Sequence, residues 1–426
     1  MKICLPDIRN DGRAAFEQIY VLFLLGYCLQ VSYLVAQYGA FYYLSMILYL
    51  GGYALALARL KVSKVPLPVL LVRAALLSLG IAVIAANPGS AVTLKCMPLN
   101  VFLLLILADG VELETILRLD ICVRVLFTLI LSLLTLAGAV KNVTTAREDG
   151  TVRYSIGYWH PNRLAEALFL ISLYALYLRR KKLEVRDLLL QILVFFFIWK
   201  VTMSRSAMIG MLMILFYTCM SLLLKGVYLK QRGGIRLVRC MMVIVPVTAM
   251  VLILLLVVCY DSRIQWMKTL NKAVNSRIDL GQMIFRYFGV NPLGSNVRSF
   301  SWDEVLARGL PSALAGADIM YVHILTAYGY IIFAVYIGLL LYALIRSVSR
   351  DRTLCYCLGV IIMIACVEHQ YFAVEENAFL LYAAPLFTLG SEGRSGCSRR
   401  CRLEYRKESS ACGMQGRCLM ANRTRR

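Results

Sequence analysis

Charged residues are scarce in this chain, making up 16% of its 426 residues, whereas 60% are hydrophobic. No soluble domain of this length can bury so much apolar surface, so the composition excludes a soluble globular protein. Acidic residues are scarcer still, with 24 Asp and Glu against 46 Lys and Arg. These cations stand between apolar runs rather than in one patch interleaved with exposed aromatic rings, which argues against nucleic-acid binding.

Several catalytic motifs are also missing. The sequence has no Asp-x-Asp pair, no His-Glu-x-x-His string and no Walker-type string, and it contains only 3 His. Metal-dependent glycosyl transfer and ATP hydrolysis therefore lose support, and we expect neither a metal nor a cofactor. The 14 Cys lie mostly in apolar runs, so no disulfide framework is expected. Four of them in the Arg-rich tail are too irregularly spaced to favour zinc: Cys397, Cys401, Cys412 and Cys418.

What the chain does contain is a succession of apolar runs. About 20 apolar residues cross a bilayer as a helix, and runs near that length predict an all-α polytopic membrane protein with about 12 transmembrane helices. The first run lacks a cleavage site, so we expect no cleavable signal peptide. The predicted spans are roughly 15–36, 39–58, 65–86, 93–108, 121–140, 164–178, 187–203, 206–224, 237–259, 319–345, 354–372 and 377–390.

The distribution of positive charge predicts the topology. Most Lys and Arg fall in the segments that would be cytoplasmic if the N-terminus is cytoplasmic, as the positive-inside rule requires. We therefore expect residues 1–390 to form the membrane domain, with both termini on the cytoplasmic side. Residues 391–426 are basic and lack apolar periodicity, which predicts a disordered cytoplasmic tail that touches anionic lipid.

One large loop, 260–318, breaks this rule, because it is predicted to lie outside and is nevertheless cationic. The positive-inside rule disfavours cations on the outer side, so their presence in this loop is better explained by binding of an anionic ligand. Apolar residues at helical spacing after Arg277 predict an amphipathic helix, and we interpret the loop as a lid over a lateral cavity. The loop carries seven cations: Arg263, Lys268, Lys272, Arg277, Arg286, Arg298 and Arg308.

The third predicted outer loop, between the predicted spans 121–140 and 164–178, ends in a string of aromatic and polar residues. Two readings remain open: an interfacial aromatic belt followed by a helix start at Pro161, or a hydrogen-bonding site beside rings that stack on sugars. The candidate binding residues there are Arg153, Tyr158, Trp159, His160 and Asn162.

Two further segments carry ionisable candidates. Arg205 lies in a tight turn between predicted helices, where it either reaches lipid headgroups or offers a planar fork to phosphate oxygens. Asp318, before Tyr321 and His323, is either a helix cap or a general base. A last outer loop, 368–377, is acidic, and we expect it to pair with the outer arginines.

The order of these strings resembles the Wzy-type polysaccharide polymerases. The resemblance covers roughly 140–390 and rests on Gly157-x-x-His160-Pro161-Asn162, Ser204-Arg205-Ser206, Ser276-Arg277, Asn291-Pro292-Leu293-Gly294, and Asp318-x-x-Tyr321 with the following Tyr328-Gly329. Related O-antigen ligases carry a His-Asn pair where this chain has Asp318-Ile319, which favours a polymerase over a ligase.

The resemblance implies a metal-independent glycosyltransferase that joins oligosaccharide repeat units carried on undecaprenyl pyrophosphate. Its expected partners are that lipid-linked oligosaccharide, the bilayer, and flippase and chain-length regulator proteins. In this reading Arg205 and Arg277 stabilise the leaving pyrophosphate, with Arg153 and Arg286 as second candidates.

The same reading gives the remaining candidates their roles. Asp318 is the preferred base, His160 or His323 the reserve, and Tyr158, Trp159 and Tyr321 are sugar platforms. A transporter of lipid-linked sugars would instead place charges along its helices, where only Arg73 stands out in the sequence. A purely structural envelope protein is the third alternative.

Overall fold

The computed structural model describes residues 8–60, 66–90, 92–108, 110–146, 150–224, 232–297, 305, 309, 311 and 318–387. The predicted tail 391–426 lies outside these residues, as do Arg298 and Arg308 of the cationic loop.

The described chain is mostly helical, as its composition predicts. Its first half contains α1 (Ile8–Gln30), α2 (Leu34–Gln37), α3 (Gly39–Arg59), α4 (Leu67–Ala86), α5 (Val92–Leu107), α6 (Leu113–Leu136), α7 (Pro161–Arg179) and α8 (Val185–Phe197). A π-helical turn (Ile198–Thr202) extends α8. Then follow α9 (Arg205–Leu223), α10 (Arg232–Cys259), α11 (Gln265–Ala273), α12 (Arg277–Phe288), α13 (Met320–Ala327), α14 (Gly329–Arg350), α15 (Arg352–Ile364) and a 3₁₀ helix (Ala378–Phe387).

Among the residues that the structure describes, six helices are long and apolar enough to cross a membrane: α3, α4, α6, α9, α14 and the Val238–Cys259 part of α10. Their exposed apolar side chains, such as Leu50, Leu133 and Phe216, have no protein partner to cover them and suit a lipid environment. The structure is therefore that of an all-α membrane protein. The number of 12 crossings is not fixed by these six helices and stays a prediction.

A two-stranded hairpin, which the sequence patterns did not predict, precedes α7. Strands β1 (Thr144–Ala146) and β2 (Val152–Tyr154) pair antiparallel. The chain after β2 is anchored to the end of α1, because the Tyr33 amide donates to the Gly157 carbonyl (2.8 Å) and the Trp159 amide donates to the Val31 carbonyl (3.1 Å). The hairpin thus fixes the backbone that leads to His160 and α7.

The predicted span 319–345 is broken at Tyr328-Gly329. Gly329 has φ +89°, and a Cβ there would collide with the Pro292 backbone. The loop segment 291–294 packs into this break, with the Tyr330 amide donating to the Asn291 carbonyl (3.1 Å) and the Ile331 amide to the Pro292 carbonyl (3.3 Å). Two strings that carry the family resemblance, Asn291–Gly294 and Tyr328-Gly329, therefore contact each other.

In the structure, the predicted spans 354–372 and 377–390 contain two short helices, α15 and the 3₁₀ helix, joined by a non-helical segment. The 13 residues of α15 and the 10 residues of the 3₁₀ helix each extend about 20 Å, less than the hydrocarbon core of about 30 Å. Between them, residues 365–377 form a non-helical segment, which we call the hairpin tip. Its acidic and amide side chains are buried within the protein: Glu368, Gln370, Glu375, Glu376 and Asn377.

Buried charges inside helices correct a second expectation. Asp120 and Arg124 of α6 form an ion pair at 2.5 Å, with 0% and 3% of their side chains exposed, and Tyr20 donates to Asp120 (2.6 Å). Arg124 lies about 16 Å from the start of α6. Arg73 is therefore not the only prominent charged residue within a predicted span.

Candidate active site

Five segments converge on one small cavity at a shared end of the helices. They are β2, which carries Arg153, the start of α7, the turn between the π-helical turn and α9, the turn between α11 and α12, and the hairpin tip. The cavity measures about 110 Å³, and we call it the arginine cavity. Its lining residues are Arg153, Asn162, Ser204, Arg205, Ser206, Ile209, Ala273, Val274, Asn275, Arg277, Val367 and Glu368.

Arg153 is held in place from β2. Its Nε donates to the Thr202 carbonyl (2.7 Å), and its Nη2 donates to the Asn162 side-chain oxygen. Thr202 ends the π-helical turn, and such turns occur frequently at functional sites because they redirect backbone carbonyls. The irregular end of α8 therefore orients an arginine that belongs to the preceding hairpin.

Arg205 is the first residue of α9 and the most open cation of the cavity. Its Nη1 donates to the Asn275 side-chain oxygen at 2.6 Å, and the residue is exposed. A neutral amide does not cancel the guanidinium charge, and the N-terminus of a helix adds partial positive charge of its own. This wall of the cavity is therefore suited to an anion.

Arg277, the first residue of α12, is held between two carboxylates. Its Nε lies 3.2 Å from Asp318 Oδ2, and its Nη2 lies 3.2 Å from Glu368 Oε1. Burial disfavours the charge, but Glu368 and then Asp318 outweigh burial and raise the pKa of Arg277. The predicted partners Arg277 and Asp318 are thus in direct contact.

The turn before Arg277 is fixed by a single buried amide. Asn271 of α11 is 5% exposed, and its side-chain oxygen accepts the amide hydrogens of Ile278 (3.1 Å) and Asp279 (3.2 Å). It caps α12 in place of the N-cap residue Ser276, whose side chain makes no such bond. The predicted amphipathic helix after Ser276 is confirmed, with Ile278 and Ile284 buried.

Glu368 reaches the cavity from the hairpin tip. Its side chain is 4% exposed, and its Oε1 accepts from both the Ser206 hydroxyl and Arg277 Nη2. The Ser204 hydroxyl lies 3.3 Å from that of Ser206. Sequence reasoning predicted that this acidic loop pairs with arginines, and it does, but gave Glu368 no role of its own.

All 3 histidines of the chain lie beside the cavity. His160 Nδ1 accepts the Asn162 amide hydrogen at 3.1 Å and caps α7, so in the neutral ring the proton is on Nε2. Burial, followed by Arg153 and Arg163, lowers the pKa of His160 to about 4. His160 is therefore a neutral hydrogen-bond donor at physiological pH, which disfavours its reserve role as a base.

The other two histidines are packed around Arg163. His369 Nε2 lies 3.3 Å from Arg163 Nη2, and because a guanidinium only donates, this nitrogen is an acceptor without a proton. His323 is 8% exposed, with its ring centroid 6.1 Å from that of His369. Arg163 also contacts Glu166 (3.3 Å) and Glu376 (3.6 Å), which ties α7 to the hairpin tip.

Left-handed backbone conformations surround the same cavity. In the part of the chain that the structure describes, every non-glycine residue with positive φ lies in a segment that leads to or follows a cavity residue. Such conformations cost about 1–3 kcal/mol each and persist where the surrounding structure enforces them, commonly at functional sites. The residues are Ile156, Met203, Asn275, Ser276 and Tyr371.

Burial corrects two of the predicted sugar platforms. Tyr158 is 2% exposed and shares a hydrogen bond with Thr128, while Tyr321 is 0% exposed and donates to the Ile362 carbonyl. Neither ring can stack on a sugar, because each fills the protein core. Trp159 is 54% exposed and remains available. Arg286 is exposed at the far end of α12 and does not line the cavity.

Asp318 is not a helix cap, because Ile319 occupies the N-cap position of α13. Its side chain is 41% exposed, yet neighbouring groups crowd it closely enough that burial raises the pKa of Asp318, against the opposing effect of Arg277. Within the described ranges, no group of three His, Cys, Asp or Glu side chains is arranged to hold a metal ion.

Comparison of the chain with protein-family models, with curated proteins and with solved structures gives no match in any of the three.

Proposed function

We propose that this protein is a polysaccharide polymerase of the Wzy type, which joins oligosaccharide repeat units carried on undecaprenyl pyrophosphate. The observation that carries the proposal is the arginine cavity, where Arg153, Arg205 and Arg277 meet Glu368 within reach of Asp318. Cations suit a pyrophosphate leaving group, and carboxylates suit the proton of an acceptor hydroxyl. One cavity thus offers both halves of a glycosyl transfer.

In this mechanism the growing chain on its lipid pyrophosphate is the donor. The bond between the anomeric carbon and the pyrophosphate oxygen breaks, and the electron pair stays on that oxygen. Arg205, whose one polar contact among the described residues is with the Asn275 side chain, receives the developing charge together with Arg277, which lines the same cavity. Fixed guanidinium groups in a partly water-excluded cavity stabilise such charge more strongly than they would in water.

The acceptor is the non-reducing end of an incoming repeat unit. Its hydroxyl attacks the anomeric carbon while a carboxylate accepts the proton, and Asp318 is the sequence-based candidate for that carboxylate. The exposed Trp159 ring supplies a surface on which a sugar stacks, and His160 Nε2 supplies a neutral donor to a phosphate or hydroxyl oxygen.

The proposal includes a topology. Both termini are cytoplasmic, about 12 segments span a bacterial cytoplasmic membrane, and the 260–318 loop is extracytoplasmic. The described part of that loop supports its role as a lid, because Ala273, Asn275 and Arg277 form one wall of the cavity. Flippase and chain-length regulator proteins are the expected partners.

The test is reconstitution. Purified protein in liposomes is supplied with a repeat unit on undecaprenyl pyrophosphate, and products are separated by size. A ladder of longer lipid-linked chains is expected. Transfer of a chain to a different acceptor without elongation would identify a ligase, and relocation across the bilayer without elongation would identify a transporter; either result contradicts the proposal.

Transport is the second candidate function, and one observation favours it. The Asp120–Arg124 and Arg163–Glu166 contacts are charges on helices, buried within the protein, which is where transporters commonly hold charges. The relocation arm of the reconstitution assay separates this function from polymerisation.

A further inference from the structure

We infer that Glu368 is the catalytic carboxylate that accepts the proton of the acceptor hydroxyl, and that Asp318 is a positioning residue that holds Arg277. This inference rests on the proposed glycosyl transfer and assigns its base to a residue of the hairpin tip.

Glu368 occupies the position that a general base requires. Glu368 lines the arginine cavity together with Arg205 and Arg277, whereas Asp318 is not part of the lining. A general base must reach the proton that it removes, within about 3 Å or through one water. Of the two carboxylates that contact Arg277, Glu368 is the one that faces the cavity.

Glu368 and Asp318 are held in different ways. The Ser206 hydroxyl and Arg277 Nη2 both donate to Oε1 of Glu368, which leaves its second oxygen for a substrate hydroxyl. Asp318 contacts Arg277 through Oδ2 at 3.2 Å, and 41% of its side chain is exposed. Glu368 is a fixed carboxylate in the cavity wall, which suits catalysis. Asp318 is a more exposed carboxylate outside the cavity lining, and its contact with the guanidinium suits orientation of Arg277.

The backbone of the hairpin tip is also fixed at Glu368. Its carbonyl accepts the Met320 amide hydrogen (3.0 Å), and its amide donates to the Ile364 carbonyl (3.0 Å). Three residues later, Tyr371 has φ +82°, an unfavourable conformation for a tyrosine. The protein thus bears a conformational cost to present this short segment in one orientation.

None of the histidines is placed to act as the base. His160 uses Nδ1 to cap α7, and His369 uses Nε2 to accept from Arg163. His323 is buried and does not line the cavity. The described lining therefore offers one group able to take a proton, and that group is Glu368.

The step balances. The acceptor oxygen forms a bond to the anomeric carbon, and its proton moves to the free oxygen of Glu368. The carbon–oxygen bond to pyrophosphate breaks, and its electron pair remains on the lipid pyrophosphate beside Arg205. The proton then leaves Glu368 for the departing pyrophosphate or for water, which restores the carboxylate without any further reactant.

The experiment measures initial elongation rates in the reconstituted liposomes for the native protein, Glu368→Gln and Asp318→Asn. Glu368→Gln keeps the size of the side chain and an oxygen acceptor for Ser206, but it cannot take a proton. We expect kcat to fall by about 100-fold or more, a loss larger than any rise in KM from the weakened contact with Arg277, since loss of a general base costs 10²–10⁴-fold. Asp318→Asn, which loosens Arg277 and the bound pyrophosphate, is expected to raise KM more than it lowers kcat.

Two controls keep the result interpretable. Glu112→Gln removes a 70% exposed carboxylate distant from the cavity and is expected to leave both constants unchanged. The thermal unfolding midpoint of each variant in detergent reports folding. If Glu368→Gln does not fold, Glu368→Asp replaces it, and this shorter carboxylate is expected to lower kcat with KM retained because the oxygen no longer reaches the hydroxyl.

The outcomes separate the two proposals. A native protein that elongates chains, with Glu368→Gln or folded Glu368→Asp equally fast, overturns the role of Glu368 alone. Loss of kcat in Asp318→Asn with native kcat in the Glu368 variants assigns the base to Asp318 instead. No elongation by the native protein contradicts the proposed function and this inference with it.

Discussion

The three arginines of the cavity carry the same charge but lie in different electrostatic environments. Arg277 lies between Asp318 and Glu368 with 12% of its side chain exposed, so much of its charge is already balanced. Arg205 is exposed, and its one polar contact among the described residues is with the Asn275 amide. Arg277 therefore contributes to both stability and binding, whereas Arg205 contributes mainly to binding.

Stability measurements test this division. Replacing Arg277 by Ala leaves Glu368 buried without its cation, and removing one partner of a buried ion pair costs about 3 kcal/mol. Arg205→Ala is the matched control, and we expect it to change stability by no more than about 0.5 kcal/mol, as is usual for exposed sites. Equal losses in the unfolding free energies of the two variants would contradict the division.

His160 predicts a pH dependence of stability. Its pKa is lowered from 6.5 to about 4 in the folded protein, so the unfolded chain binds the proton more readily. The stability associated with the neutral ring is complete above about pH 6.5 and is lost as the pH falls towards 4.

The matched variant is His160→Asn, because Asn is also a good N-cap residue but does not titrate. Between pH 7 and pH 5, the thermal unfolding midpoint of the native protein should fall further than that of the variant. Parallel curves for the two proteins would show that His160 does not have the lowered pKa.

At the scale of elements, the interruptions of helices, rather than the helices, build the site. Arg205 follows the π-helical turn, Arg277 follows two left-handed residues, and Glu368 follows the end of α15. Hydrophobic periodicity predicts where apolar helices lie, and the predicted segments coincide with helices in most places. It does not predict where a helix stops within an apolar run, because buried side chains look alike in both conformations.

The break between α13 and α14 is the interruption that a substitution tests best. Gly329→Ala would force a Cβ into the Pro292 backbone at φ +89°, which separates the Asn291–Gly294 turn from the helix. Gly338→Ala in the same helix is the control, since a Cβ there meets nothing within 4 Å and alanine favours a helix by up to about 1 kcal/mol.

We expect the Gly329→Ala variant to unfold at a lower temperature than the native protein. Its elongation activity should fall in proportion to this loss of stability. The Gly338 variant should equal or exceed the native protein in stability. Native stability in Gly329→Ala would mean that the contact between the two strings does not hold the break.

At the scale of the whole molecule, the sequence was sufficient for the class and for part of the site. Composition predicts the all-α membrane fold, and the strings around Arg205, Arg277 and Asp318 fall at one end of the helices. Burial was the missing information: Tyr158 and Tyr321 have the residue type expected of platforms, but only packing shows that they are enclosed. Glu368 was overlooked because its partners Ser206 and Arg277 are distant in sequence.

The most direct test of the central claim compares arginine with lysine at two positions of the cavity. Arg205→Lys and Arg277→Lys keep the positive charge but remove the planar fork that contacts two oxygens at once. In liposomes that contain one purified variant and the lipid pyrophosphate repeat unit, we expect elongation at least about 10-fold slower than with the native protein, a loss of about 1.4 kcal/mol in transition-state stabilisation. Polymer formed at the native rate and length by both lysine variants would contradict the claim that these guanidinium groups hold the pyrophosphate.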